Sequence, residues 1–205
     1  GTCGAGSEEA LCKAILDYTG AYGKAFDGMD SLMFELGERW KDHIGHEVIG
    51  DGPLYATAAF IGAKFVEAAG KMTNAVDSEN WCHVNYFRHS PEQSGLILVA
   101  NDGDHNHSRV AETMGQAVKI GRNCLLITDT NGKDYGVPEG VTVCTVPKAP
   151  EGYEFLAPLL NYIPGTLLAA YVAALRGEPY FRGEHSLQKQ SEVGSTIGSS
   201  KVMIV

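Results

Sequence analysis

Lys64 and Glu67 stand three residues apart in "GAKFVEAAGK", 62–71. On a helix such residues are neighbours, so an amine and a carboxylate are placed in reach of one another. At 100° per residue, Leu54, Ala58, Ile61, Phe65 and Ala69 share one face, which should pack on a sheet. The opposite side carries Ala56, Phe60, Ala63, Lys64 and Glu67, three of them apolar. A helix apolar on two sides is expected to be covered on two sides. The pair is therefore expected beside Phe60, at a second interface or in a cleft. A carboxylate held there suits a base that shuttles protons. The plainer alternative is a partly buried ion pair at a dimer contact.

Other polar groups lie nearby in the chain. "VDSENWCHVNYF", 76–87, sets Glu79, Asn80 and His83 among aromatic residues. A buried imidazole needs a partner, and Glu67 is a candidate. "GDGPLYA", 50–56, is a Gly-rich turn leading into a helix, where backbone N–H groups can receive phosphate. Pro53 removes one of those donors. "NDGDHNHS", 101–108, alternates Asp102, Asp104 and Asn106 as a calcium loop does, but His107 occupies the required glycine and Thr113 the bidentate position. His105 and His107 do not have the i, i+4 spacing of a zinc protease. The reading assigns no metal and no cofactor, and expects Asn106 or Ser108 as a helix N-cap.

The elements that must position these groups follow from the rest of the chain. It has 205 residues, 44% hydrophobic, with a formal charge of −9. That suits one α/β domain and argues against a nucleic-acid partner, which would demand a basic face. Five cysteines without a C-x-x-C suit a reduced, cytoplasmic protein; Cys124 and Cys144, in or beside apolar runs, read as buried thiols. "GTCGAGSEEALCK" has no signal-peptide pattern. The uncharged stretch 155–175 is long enough to span a bilayer, yet Pro158, Asn161, Pro164 and Gly165 favour two short buried helices meeting at Pro164. No membrane is expected.

Two amphipathic helices are expected before residue 45, one from Ser7 and one over about 30–43. "HEVIGDG", "GLILVANDGD", "NCLLITDTNG" and "VTVCTVP" read as four buried strands alternating with helices, with a possible fifth in "SKVMIV". The predicted fold is a three-layer αβα sandwich with a flavodoxin-like, mainly parallel sheet of about five strands. Ligands of such sheets bind beyond the carboxyl ends of the strands, so "GDGPLYAT", "ANDGDHNHS" and "TDTNGKD" are the loops of interest. Segment 1–45 is a linker-like helix pair, 46–182 the main domain, and 183–205 a tail or lid.

The run "VIGDGPLYATAAFIGAKFVEAAGKMTNAVDSENWCH" resembles the start of a sugar isomerase (SIS) domain. It is most similar to the second SIS domain of glucosamine-6-phosphate synthase and the fructosamine/glucoselysine-phosphate deglycases. The resemblance continues through "GLILVAND", "LLITD" and "YEFLAPLLNYIPGTLLAAYVAALRG". It implies proton transfer between C1 and C2 of a phosphorylated sugar or sugar-amine, while the two-sided helix of 54–69 and the apolar faces of 8–43 lead us to expect a homodimer or higher oligomer. Lys64 and Glu67 match the family's K-x-x-E, whose Glu is the base. His83, sixteen residues on, matches the ring-opening His, often contributed by a neighbouring subunit. Lys201 matches the C-terminal lysine that closes over the sugar, with Lys189 the weaker match. Gly52, Pro53, Tyr55, Lys64, Ser199 and Ser200 would contact substrate. The chain departs from the pattern in having Asn80 where the family often has Glu, and in lacking the "SxSGxT" phosphate loop. The resemblance therefore also implies two alternatives: a non-catalytic sugar-phosphate-binding module, or the second domain of a longer enzyme.

Overall fold

The structure is a computed structural model that describes residues 8–179. Its first element, α1 (Glu8–Trp40), is one continuous helix of 33 residues, roughly 50 Å long at 1.5 Å per residue. The expected helix pair is thus a single helix. Gly20, Gly23 and Gly28 lie along it, and each costs about 1 kcal/mol relative to alanine. An uninterrupted buried stripe of Ala14, Tyr18, Tyr22, Met29, Met33, Leu36 and Trp40 overrides that cost.

Five strands follow: β1 (Gly45–Gly50), β2 (Met72–Val76), β3 (Ser94–Val99), β4 (Asn123–Thr128) and β5 (Thr142–Thr145). All pairings are parallel, in the order β2-β1-β3-β4-β5. β1, β3, β4 and β5 are the four apolar runs expected. β2 was not expected as a strand, because it is an edge strand with Met72 and Asn74 exposed, and edge strands need no continuous apolar run. "SKVMIV" lies outside the described residues.

Helices α2 (Leu54–Ala69), α3 (Ser78–His83), α4 (His107–Lys119) and α5 (Ile163–Leu175) complete the layers. On one face of the sheet, Val48, Ile97, Val99, Leu125 and Ile127 pack against α1, α2 and α5. On the other, Ile49, Leu96, Leu98 and Leu126 pack against Trp81 of α3 and Val110, Met114 and Ala117 of α4. This alternation follows from the period of two along a strand. The cysteine expectation holds for Cys124 and Cys144, which are buried free thiols pushed up to about 12 by desolvation.

The 154–175 stretch has a mean hydropathy of 1.4 and passes a length-and-composition test for a membrane span. Here it divides into a 3-10 turn, Glu154–Leu159, and α5, with Pro164 at the start of α5 rather than at a junction of two α-helices. α5 packs on both α1 and α2. Its approach to α2 depends on Gly165, where a Cβ would lie 2.7 Å from the Ile61 side chain.

Candidate functional site

β1 continues into α2 and on to β2 on one side, whereas β3 continues through α4 to β4 on the other. Their carboxyl ends therefore diverge, leaving the switch-point crevice typical of such sheets. The Asp51–Pro53 turn and the loop Gly103–Asn106 line a cleft of about 320 Å³ there. Gly52 makes the turn with a φ of 53°, a conformation that favours glycine. The next three N–H groups are engaged locally: Leu54 N donates to Asp51 O, Tyr55 N to Gly52 O and Ala56 N to Pro53 O. Few donors at the start of α2 remain for an anion, as the loss of one to Pro53 foreshadowed.

The second wall is stiffened from within. Asn101 N donates to Asp104 Oδ2 at 2.6 Å, and Asp102 N donates to Asp129 Oδ1 at 2.6 Å. Burial pushes the Asp104 and Asp129 carboxyls above the usual range. Asp51 and Asp129 both add negative potential at Asp104. Asp102 is held low by its hydrogen bond from exposed Lys148. Asn106 occupies the N-cap position of α4 without a side-chain capping bond. The loops after β1, β3 and β4 thus supply an acidic rim. The three loop sequences were visible in the chain, but the convergence of Asp51, Asp104 and Asp129 needed the strand order.

Lys64 and Glu67 form the expected pair, with Lys64 Nζ 2.6 Å from Glu67 Oε2. Lys64 Nζ also sits 4.8 Å from the centre of the Phe60 ring, which in turn lies 4.7 Å from the Tyr162 ring. The inward face Leu54, Ala58, Ile61, Phe65 and Ala69 is buried as expected. The outward face is not covered by the described residues. The Glu67 side chain is 61% exposed, Phe60 is 42% exposed, and Tyr55, Ala56 and Ala63 are also open. The expected second cover for the pair is absent among the described residues.

His83 closes α3 with its side chain 71% exposed, and its Nε2 lies 2.9 Å from Glu79 Oε1. Glu79 Oε2 also meets Arg109 Nε at 2.7 Å. His83 therefore pairs with Glu79, not with Glu67 as the sequence suggested. The reason is topological: α2 packs on one face of the sheet and α3 on the other. Asn80, at the position where a Glu was sought, hydrogen bonds to the N-cap residue Asp77. Lys189, Ser199, Ser200 and Lys201 lie outside the described residues.

No protein-family model matches the chain, and no curated protein sequence matches it. Solved structures do. The C-terminal domain of glucosamine-fructose-6-phosphate aminotransferase from Francisella tularensis superposes with a TM-score of 0.72 at 20% identity, over 85% of this chain and 46% of that one. An E. coli CFT073 protein solved in complex with A5P gives a TM-score of 0.63 at 15% identity, over 85% of this chain and 96% of that one. NanR of Vibrio vulnificus, complexed with ManNAc-6P, gives 0.63 at 13% identity, over 94% and 70%. This chain spans just under half the length of the Francisella chain. These likenesses show the class of the fold, an α/β sandwich on an all-parallel five-stranded sheet that these structures share.

Proposed function

We propose that this chain acts on a phosphorylated sugar or sugar-amine, as an aldose–ketose isomerase or a deglycase-type protein, with Glu67 as the base. The observation that carries the reading is the Lys64–Glu67 pair, held over Phe60 on a face of α2 that the described residues leave open. A Glu67 carboxylate above the sugar takes the proton from C2 and returns it to C1, through an enediol in which the O2 hydrogen leaves and O1 gains one. Lys64 orients that carboxylate and keeps its charge in place. His83 assists opening of the ring at its oxygen. Because His83 and Glu67 lie on opposite faces of one sheet, His83 comes from a second copy, which also covers Phe60 and Glu67. The working form is then a cytoplasmic homodimer or larger, with Lys201 of the tail closing the site.

One observation favours a second reading, a module that binds a sugar phosphate without converting it. Asp51 and Asp104 line the switch-point crevice, Asp129 adds negative potential at Asp104, and among the described residues the lining holds no Lys or Arg. An anionic phosphate is repelled by such a rim. Under this reading, as under that of a domain of a longer enzyme, another chain or region holds the phosphate.

The test is exchange in D2O of the C1 protons of fructosamine 6-phosphate, and of the ketose C1 and aldose C2 protons of the equivalent aldose–ketose pair, followed by NMR. The parent exchanges, and Glu67→Gln slows exchange by about 100- to 10,000-fold, the contribution of a positioned base. Saturable phosphosugar binding without exchange leaves the binding module. Neither binding nor exchange removes both readings.

A further inference from the structure

The loop that forms the second wall of the crevice is tied to α1 by a buried ladder of side-chain amides and phenols. Tyr18 Oη and Tyr22 Oη both donate to Asn161 Oδ1, at 3.0 and 2.7 Å. Asn161 Nδ2 then donates to Asn101 Oδ1 at 2.8 Å. Asn101 lies in the loop after β3 that turns to Asp104: its N–H donates to the Asp104 carboxylate, and its carbonyl accepts from Tyr135 Oη at 2.8 Å. Asn161 is fully buried, and Tyr18, Tyr22 and Asn101 nearly so.

The polarity of this ladder is set at its far end. An asparagine side chain has an acceptor oxygen and a donor nitrogen that swap places when the amide turns over. Two phenolic donors converging on one atom favour one arrangement. With Asn161 Oδ1 facing both tyrosines, Nδ2 faces Asn101. Turned over, the amide would require both phenols to swing their O–H groups away from it and would leave Asn101 Oδ1 without its donor. Burial keeps both phenols protonated, with Tyr18 pushed up to about 12 and Tyr22 raised further, so they remain donors across the physiological range.

We propose that Asn161 is a positioning residue for the crevice loop, and that Tyr18 and Tyr22 of α1 fix its orientation. An element outside the sheet thereby sets the position of Asp104 and the crevice wall. This concerns how the crevice is shaped and stands whether or not Glu67 moves a proton.

Hydrogen exchange of the whole chain, resolved by peptide, tests it. Tyr18→Phe with Tyr22→Phe removes both donors while keeping both rings and leaving Asn161 and the loop unaltered. Amides within 101–106 then exchange about tenfold faster, the combined effect of two modest hydrogen bonds. Tyr171→Phe is the control: it removes a different bond to α1, from Tyr171 Oη of α5 to Asp30 Oδ1, and has no link to Asn161. It should leave 101–106 at the parent rate. If Tyr171→Phe accelerates the loop as much, loosened packing of α1 on α5 is responsible and the positioning role is wrong. An unchanged loop in the Tyr18/Tyr22 variant overturns it equally. Should that variant fail to fold, Tyr22→Phe alone is read against the same control, with a smaller acceleration of about threefold expected for one bond.

Discussion

The imidazole of His46 lies nearly parallel to the Phe65 ring, with centroids 4.0 Å apart, and neither of its ring nitrogens has a hydrogen-bond partner among the described residues. Trp40 flanks it at 5.9 Å, and His43 lies 5.9 Å away on another side. The ring is packed as an apolar plate would be. Burial depresses both imidazoles, His43 to about 4 and His46 to about 3, from an ordinary value of 6.5.

Acid therefore acts on the unfolded chain first. Above about pH 6.5 both histidines are neutral in either state and stability is unaffected by them. As pH falls below that, the unfolded chain takes up protons that the folded chain refuses, so stability declines until the folded values are reached. Two such groups give a loss approaching about 2–3 kcal/mol per pH unit between roughly pH 6 and 4. Denaturant unfolding at several pH values measures the slope. His46→Phe should reduce it by about 1 kcal/mol per pH unit; an unaltered slope would mean that His46 is not the group responsible.

Glu47 on β1 is fully buried and accepts hydrogen bonds from Trp81 Nε1 at 2.8 Å, Asn85 Nδ2 at 3.1 Å and Arg88 at 2.7 Å. Fully buried Arg122 approaches its other side at 3.4 Å. Removing one partner of a buried charge pair leaves the other uncompensated, which costs about 3–5 kcal/mol. Glu47→Ala should lose that much in equilibrium unfolding. Arg88→Ala should lose less, about 1–2 kcal/mol, because its guanidinium is part exposed and Arg122 still faces the carboxylate. Equal losses would contradict this account of the cluster.

Gly165→Ala forces a methyl group against Ile61 at the α2–α5 contact, and overpacking of this kind destabilises by about 1–3 kcal/mol. Combined with Ile61→Ala, the same change should cost much less than the sum of the two, because the second substitution opens the space that the first needs. Strict additivity in thermal unfolding would show that α5 shifts aside instead.

The open face of α2 yields a prediction about assembly. If a second copy covers Phe60, then Phe60→Asp buries an unpaired charge in the contact. It should shift sedimentation from the dimer to the monomer while leaving the helical signal unchanged, since Phe60 is half exposed in the single chain. Assembly that persists unaltered would place the contact elsewhere.

Local patterning carried much of the fold. The apolar runs of β1, β3, β4 and β5 are buried as strands, and the buried face of α2 is the one its periodicity indicates. β2 escaped notice because Thr73 and Asn74 interrupt its apolar residues, and only its pairing with β1 makes it a strand. The glycines of α1 suggest a break that its buried stripe prevents. At the site, Lys64 and Glu67 meet because i, i+3 spacing is a local property. The separation of Glu67 from His83 is not local: it depends on the chain crossing to the far face after β2. The Asn101–Asn161 contact joins residues 60 apart in sequence, and no periodicity encodes it.

The strand order also dictates a sequence of events in folding. No two neighbouring strands can close through a hairpin, because every pairing is parallel. β1 and β2 are joined through α2, and β3 must return to the opposite edge of β1, past β2. β1 thus gathers its second neighbour last within that half of the sheet. Such non-local closure is slow, on the scale of milliseconds to seconds, and until β3 arrives β1 presents a bare apolar edge to the solvent.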